Sequence, residues 1–199
     1  MKLKYIITLT AIAASLISCS EKQQNETASS KRNETTEQAD LVYDNIPTSE
    51  QTEQATAAFS KYLLKEAPAN AVEIATLRKT AKVGDEVTFN GKAIGAFRIF
   101  PKARSAMLLG DPNVLTSCDL VPGDMCEKPW DVCCDDEDDI KNTILTIQIL
   151  DDEGKLIKTS LKGLNGLTEL SEVTVTGIVA EGSNENNMII NATGIYVKS

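Results

Sequence analysis

Alternating apolar and polar residues mark several short segments in the second half of the chain. Leu145, Ile147 and Ile149, for example, alternate with threonine and glutamine. This two-residue period puts every second side chain on one face of a β-strand. A turn at 152–154 leads into a further apolar stretch at 156–161, which the same pattern assigns to a strand. The five strands of the predicted barrel are 87–97, 104–110, 145–149, 172–180 and 188–197.

Glycine positions and the number of strands indicate how the strands are arranged. Gly91 and Gly95 fall within one long first strand, which predicts a sharp bend of the kind that closes a barrel. An irregular or helical link at 163–170 precedes the fourth strand. Five short strands are too few for an immunoglobulin sandwich. The chain is therefore predicted to be mainly β, with a five-stranded OB-fold-like barrel.

Helical periodicity precedes the barrel. Phe59 and Tyr62 fall on one face of a predicted helix at 49–66, and a shorter second helix is predicted at 71–80. The predicted units are a helical segment at 49–70, an OB-fold-like domain at 71–199 and, between the second and third strands of that domain, a cysteine-rich insertion at about 112–140.

The first 18 residues have the pattern of an export signal. Lys2 and Lys4 precede an apolar stretch at 5–17, which has the length of a signal-peptide core and is too short to span a membrane. The stretch ends in Leu-Ile-Ser-Cys at 16–19. This motif resembles the lipobox of bacterial lipoproteins, in which the cysteine is lipidated and becomes the new N-terminus. An ordinary secretory signal with an incidental cysteine is the alternative.

The lipobox resemblance implies a lipid anchor and an extracytoplasmic location. Cys19 is then the lipidation site, and it carries a thioether-linked diacylglycerol and an N-acyl chain such as palmitate. Residues 19–48 are rich in Glu, Gln, Asn, Ser and Thr, which predicts a flexible polar tether. The protein is expected at the cell membrane or the outer membrane, with its domain facing the periplasm or the exterior.

A second resemblance covers residues 71–199. Residues 82–92 contain a Gly-Asp-x-Val-x-x-x-Gly pattern that, with 173–177 and 191–196, is similar to the opening and closing strands of bacterial OB-fold modules. Residues 126–134 contain Pro-Trp-Asp-Val-Cys-Cys, which is similar to a segment in a group of bacterial secreted OB-fold proteins whose activity is not established. The resemblance implies the fold and an exported location, and it brings no ligand or site residue.

Four of the five cysteines lie in a 17-residue segment: Cys118, Cys126, Cys133 and Cys134. An even set of cysteines in an exported protein predicts disulfides. Adjacent cysteines rarely bond to each other because the ring is strained, so Cys133 and Cys134 are expected to pair with the other two in either order. A four-thiolate metal site and a redox-active pair are the alternatives, although paired Cys-x2-Cys spacings are absent.

Basic residues cluster between the first two predicted strands. Arg98, Lys102 and Arg104 lie there among aromatic residues, in one of the two loops that flank the ligand face of OB-folds. With Trp130 they are candidates for contacts with an anionic glycan, a nucleotide or an acidic peptide. The alternatives are a hairpin end that only aids solubility and a tryptophan that packs on the cysteine bridges. The acidic run 135–139 predicts a solvated loop, since it lacks the pattern of a calcium-binding EF-hand loop.

Composition narrows the function classes. The chain has 29 acidic and 20 basic residues, a formal net charge of −9 and no histidine. An acidic protein repels phosphate backbones, which argues against nucleic-acid binding. Without histidine the commonest general base is missing, and no phosphate-binding or dinucleotide motif is found, so we expect no catalysis, cofactor or metal.

The sequence thus predicts a lipid-anchored, non-catalytic OB-fold module with a binding or envelope-structural role. Its expected partners are membrane lipid, through Cys19, and a protein, a glycan or another anionic ligand. The alternative function is an accessory metal- or redox-handling protein that uses the four clustered cysteines.

Overall fold

The computed structural model describes residues 57, 59–96, 98–123 and 125–198, all within the unit Val42–Ser199. The predicted signal peptide, the tether, Cys19 and half of the first predicted helix lie outside these residues. The two described α-helices are α1 (Ile74–Thr80) and α2 (Glu137–Thr143). The described strands are β1 (Val72–Glu73), β2 (Glu86–Lys92), β3 (Ala106–Gly110), β4 (Ile144–Gln148), β5 (Glu172–Val179) and β6 (Ile189–Val197).

Five of these strands close into a barrel. Strands β2, β3 and β4 form an antiparallel meander, β4 pairs in parallel with β6, and β6 pairs antiparallel with β5. The barrel closes where β5 pairs with β2, from Glu86 opposite Ile178 to Lys92 opposite Glu172. The short strand β1 is added outside this ring, in parallel with β2. The predicted mainly-β, OB-fold-like barrel is confirmed.

Alternation along the strands fills the barrel. Leu145 and Ile147 of β4 are buried, as are Val173 and Val175 of β5, while their neighbours along β4 are only partly covered. These side chains belong to one apolar cluster that occupies the barrel interior. The two-residue period that predicted the strands is therefore the same period that builds the core.

Two glycines occupy positions where another residue would not fit. The predicted first strand, 87–97, ends at Lys92, and Gly95 follows with a positive φ of 147° that turns the chain out of the ladder. In β5, a bulge at Gly177 brings the backbone of β6 so close that a Cβ would lie 2.6 Å from the oxygen of Asn191. The first glycine provides the predicted bend, and the second fixes the register of the β5–β6 pair.

The helical segments differ from their predictions. In the described part of the helix predicted at 49–66, a 3-10 turn at Ser60–Tyr62 ends at Leu63, which pairs with Ile195 of β6. The backbone N–H of the next residue also bonds to this strand, so the strand replaces further helical bonds. The second predicted helix, 71–80, starts only at Ile74 because the two residues before it form β1.

The apolar stretch 156–161 is not a strand, which corrects the prediction. Only Leu156 pairs with another residue, through an isolated bridge to Leu150. Ile157 is held instead by the buried Ser105, whose hydroxyl accepts the Ile157 N–H and donates to the carbonyl oxygen of Ile149. The stretch is apolar because Leu161 is fully buried in the barrel core, and not because it forms a sheet.

Candidate functional site: the cysteine insertion and the cationic loop

The cysteine insertion, residues 111–143, connects β3 to β4 at the place where the sequence predicted it. Its two arms are joined by backbone hydrogen bonds. The N–H of Cys118 donates to the oxygen of Asp131 over 2.8 Å, and the N–H of Asp119 donates to the oxygen of Pro129 over 3.0 Å. Main-chain pairing therefore brings the segment around Cys118 next to the segment that carries the last two cysteines.

A small second core fixes the insertion to the barrel. Ile94, Leu115 and Val132 are buried together, and the half-buried Trp130 packs against both this cluster and the barrel core. The N–H of Gly95 donates to the carbonyl oxygen of Trp130 over 3.0 Å. Trp130 therefore packs on apolar side chains. Its contact with cysteine bridges, one of the sequence alternatives, stays a prediction for the oxidised chain.

Three of the four clustered cysteines converge. The Sγ atoms of Cys118, Cys126 and Cys133, which we call the thiol cluster, all lie within 4.8 Å of one another. Cys118 is buried, Cys126 is half-buried and Cys133 is exposed, so the cluster reaches from the interior of the insertion to solvent. Cys134 is exposed and lies outside the cluster.

No disulfide joins the cysteines of the described residues. The Sγ atoms of Cys118 and Cys133 are 3.8 Å apart, whereas a disulfide bond is about 2.05 Å long. Two disulfides would arrange four sulfur atoms as two pairs, but the structure gathers three around one point. The predicted pairing of Cys133 and Cys134 with the other two cysteines stays a prediction for the oxidised chain.

The surroundings of the Cys133 thiol raise its pKa. A hydrogen bond with Cys118 lowers the pKa of Cys133, but desolvation and the adjacent Cys134 thiol raise it. The negative charge of Asp131 acts in the same upward direction, and the pKa of Cys133 lies above its ordinary value. Because the thiolate is the nucleophilic form, a raised pKa disfavours catalysis of the kind performed by reactive cysteines.

The acidic run 135–139 is exposed but largely helical, which corrects the expectation of a loop. Asp136 is the N-cap of α2, and its Oδ1 accepts the N–H of Asp138 over 2.9 Å. The next three acidic residues occupy the first turn of the helix, where the helix dipole favours negative charge. The carboxyl of Asp135 accepts the N–H of Thr116 and so ties the run to the other arm of the insertion. The run therefore has a structural role.

The cationic loop, residues 98–104, lies between β2 and β3. Its three basic side chains, Arg98, Lys102 and Arg104, are exposed. The aromatic residue between them has a different role, because Phe100 is 5 % exposed and belongs to the barrel core. Phe97 lies outside the described residues. Charge, and not aromatic stacking by Phe100, is thus what this loop offers to a ligand.

A shallow groove next to the loop was not predicted. Its volume is about 470 Å³. It is connected to the cationic loop through Ser105, which follows Arg104 and bonds to Ile157 in the groove wall. A concentration of lysines at 155–162 was the signal available in the sequence. The groove is lined by Lys61, Asp151, Asp152, Lys155, Leu156, Ile157 and Lys158.

Among the described helices, none is long and apolar enough to cross a membrane. No family model, no curated protein and no solved structure matches the chain.

Proposed function

We propose that the chain is a lipid-anchored lipoprotein of the bacterial envelope whose barrel is a non-catalytic module that binds an anionic partner. The observation that carries the proposal is the position and exposure of the cationic loop. It joins the first two strands of an OB-fold-like barrel, and in OB-folds this loop flanks the ligand face. Arg98, Lys102 and Arg104 make no hydrogen bond or ion pair with other described residues, so their charges are available to a partner.

The distribution of charge supports an anionic partner at this loop. Residues 111–143 contain ten acidic and two basic residues, whereas residues 98–104 contain three basic and no acidic residues. An anion is therefore repelled by the insertion and attracted to the loop, which orients it as it approaches. Lys158 in the adjacent groove adds a further exposed cation. A glycan with acidic groups or an acidic protein segment fits this arrangement.

Support for the anchor comes from the N-terminal sequence. Two lysines, an apolar stretch of signal-peptide length and the Leu-Ile-Ser-Cys motif follow one another in the order that lipoprotein export requires. An anchor at Cys19 would hold the barrel at an envelope surface, where anionic glycans and lipids are abundant.

The anchor is tested by metabolic labelling of the full-length chain with radioactive palmitate in a bacterial host. We expect label in the membrane fraction of the wild-type protein and loss of label in Cys19→Ala. Cys134→Ala is the matched control, since it removes a different cysteine, which is exposed, and should keep the label. An unlabelled wild-type protein, or label that persists in Cys19→Ala, contradicts the proposal.

The cationic loop is tested by retention on immobilised heparin, a generic anionic glycan, at increasing salt. The triple variant Arg98→Ser, Lys102→Ser, Arg104→Ser should elute at clearly lower salt than the wild type. The control is Lys65→Ser, Lys79→Ser, Lys141→Ser, which removes the same charge from exposed positions elsewhere. Equal elution of the two variants would show that only net charge matters. Stronger retention on single-stranded DNA than on heparin would indicate that the anionic partner is a nucleic acid and not a glycan.

A further inference from the structure

The thiol cluster has a feature that disulfide pairing does not explain, namely that three sulfur atoms share one centre. We propose that Cys118, Cys126 and Cys133 form a binding site for one thiophilic metal ion of the Zn²⁺ or Cu⁺ class. On binding, the three thiols release their protons to solvent and the ion takes their place, with no change of oxidation state. This inference is independent of the lipid anchor and of the cationic loop.

The sulfur–sulfur distance fits a metal better than a disulfide. With a Zn–S bond of about 2.3 Å, two sulfur atoms on a tetrahedral ion lie about 3.8 Å apart. The Sγ atoms of Cys118 and Cys133 are separated by 3.8 Å, and the third sulfur lies within 4.8 Å of both. A contraction of the two distances from the Cys126 sulfur would let one ion touch all three. Thiolate sets without histidine or carboxylate are typical of soft metal ions.

The fold prepares this arrangement before any ion binds. The backbone hydrogen bond between Cys118 and Asp131 holds the two arms together. Val132, directly before Cys133, is buried and fixes the position of the chain there. These contacts do not involve sulfur, so the fold of the insertion itself brings the thiols together. Part of the entropic cost of bringing ligands together is thus met by the fold of the insertion.

Access and charge also suit a cation. Cys118 is buried while Cys133 is exposed, so an ion can enter from solvent and keep an open coordination position on that side. The surrounding insertion, with ten acidic and two basic residues, attracts cations and repels anions. The sequence argued against a metal site because it lacks paired Cys-x2-Cys spacings. In the structure, the backbone pairing of the two arms brings the cysteines together instead.

The test is titration of the full-length chain with Cd²⁺, a spectroscopic substitute for Zn²⁺, after reduction and anaerobic removal of the reductant. We expect a thiolate-to-metal charge-transfer absorbance that saturates at one ion per chain. Each of Cys118→Ser, Cys126→Ser and Cys133→Ser should weaken binding by about 100-fold or more, since even supporting residues of metal sites contribute about 10–100-fold. The control Cys134→Ser should bind within about threefold of the wild type. Competition by Zn²⁺ and by Cu⁺ then identifies the preferred ion.

A second measurement does not depend on the variants folding. Alkylation of the wild-type chain followed by peptide mass spectrometry should show that Cd²⁺ protects Cys118, Cys126 and Cys133 and leaves Cys134 reactive. The proposal is overturned if no absorbance and no protection appear, or if Cys134→Ser loses binding as strongly as Cys118→Ser. It is also overturned if the chain isolated from the bacterial host without reductant has a mass four hydrogens lower than after reduction, because two disulfides would then occupy the sulfur atoms.

Discussion

Asp111, the first residue after β3, is a buried carboxylate that connects two parts of the fold. Its Oδ2 accepts the backbone N–H of Ala75 in the first turn of α1 over 2.9 Å, and its Oδ1 accepts the N–H of Asn113 over 3.0 Å. The residue is fully buried. Glu73, at the N-cap position of α1, makes no side-chain cap bond. Asp111 therefore caps α1 from a distant point in the sequence.

The magnitude of this contribution follows from the two bonds. A hydrogen bond to a charged group contributes about 1.5–3 kcal/mol, and Asp111→Ala removes two of them. Part of this loss is offset because a buried carboxylate no longer has to be desolvated. We expect Asp111→Ala to lower the free energy of unfolding by about 3 kcal/mol, and Asp111→Asn, which keeps one acceptor oxygen, by about 1.5 kcal/mol. With a urea slope of about 2 kcal/mol per M, the alanine variant shifts the midpoint by about 1.5 M.

The assay is urea unfolding of the full-length chain, followed by the fluorescence of Trp130, the only tryptophan. Asp119→Ala is the control, because it makes the same charge change at an exposed position and should shift stability by at most about 0.5 kcal/mol. Amide exchange at Ala75 should accelerate in Asp111→Ala. If the two alanine variants unfold at the same urea concentration, or if exchange at Ala75 is unchanged, the capping role is refuted.

Three further predictions concern other parts of the barrel. Ser105→Ala removes a buried hydroxyl that bonds to two backbone groups, and should cost about 2 kcal/mol in urea unfolding. Gly177→Ala places a methyl group against a β6 carbonyl oxygen and should cost about 3 kcal/mol, whereas Gly182→Ala, with its nearest atom at 3.8 Å, should cost less than 1 kcal/mol. The hydrogen bond from Lys61 lowers the pKa of Asp152, so this ion pair stabilises the fold at neutral pH and loses its effect as the pH falls through that lowered pKa. In Lys61→Met, carboxyl NMR titration should find the pKa of Asp152 raised toward its ordinary value, and an unchanged pKa contradicts this.

The barrel strands could be predicted because their pattern and their environment have the same period. Predictions of 145–149, 172–180 and 188–197 differ by about one residue from β4, β5 and β6. Burial alternates along β4, whereas β5 also buries Thr174 and β6 buries the consecutive Gly194 and Ile195. The first strand was predicted too long. The N–H of Ala93 still bonds to Ser171, next to β5, but that of Gly95 bonds to Trp130 of the cysteine insertion. The second bond takes the chain out of the sheet, and no local pattern encodes it.

The candidate site was harder to predict for a related reason. The thiol cluster depends on the bond between Cys118 and Asp131, which are far enough apart in sequence that spacing alone does not reveal their contact. The helix that follows did have a local signal. Asp136 as an N-cap, with three acidic residues in the first turn, is a common helix start. The run 135–139 was predicted to be a loop from its charge alone, and this prediction did not use the N-cap signal.

The way the insertion is held in place bears directly on its sulfur chemistry. Disulfides were expected because an even set of cysteines clusters in a chain with an export signal, and they would cross-link a segment that has few apolar residues. In the structure, backbone bonds between the arms, the buried cluster around Leu115 and Val132, and the bond from Gly95 to Trp130 supply that order. A hydrogen bond from Lys92 of β2 to the buried Ser117 adds a fourth connection. Cross-links are thus not required to place the cysteines, and the metal site that we propose for the thiol cluster does not depend on them.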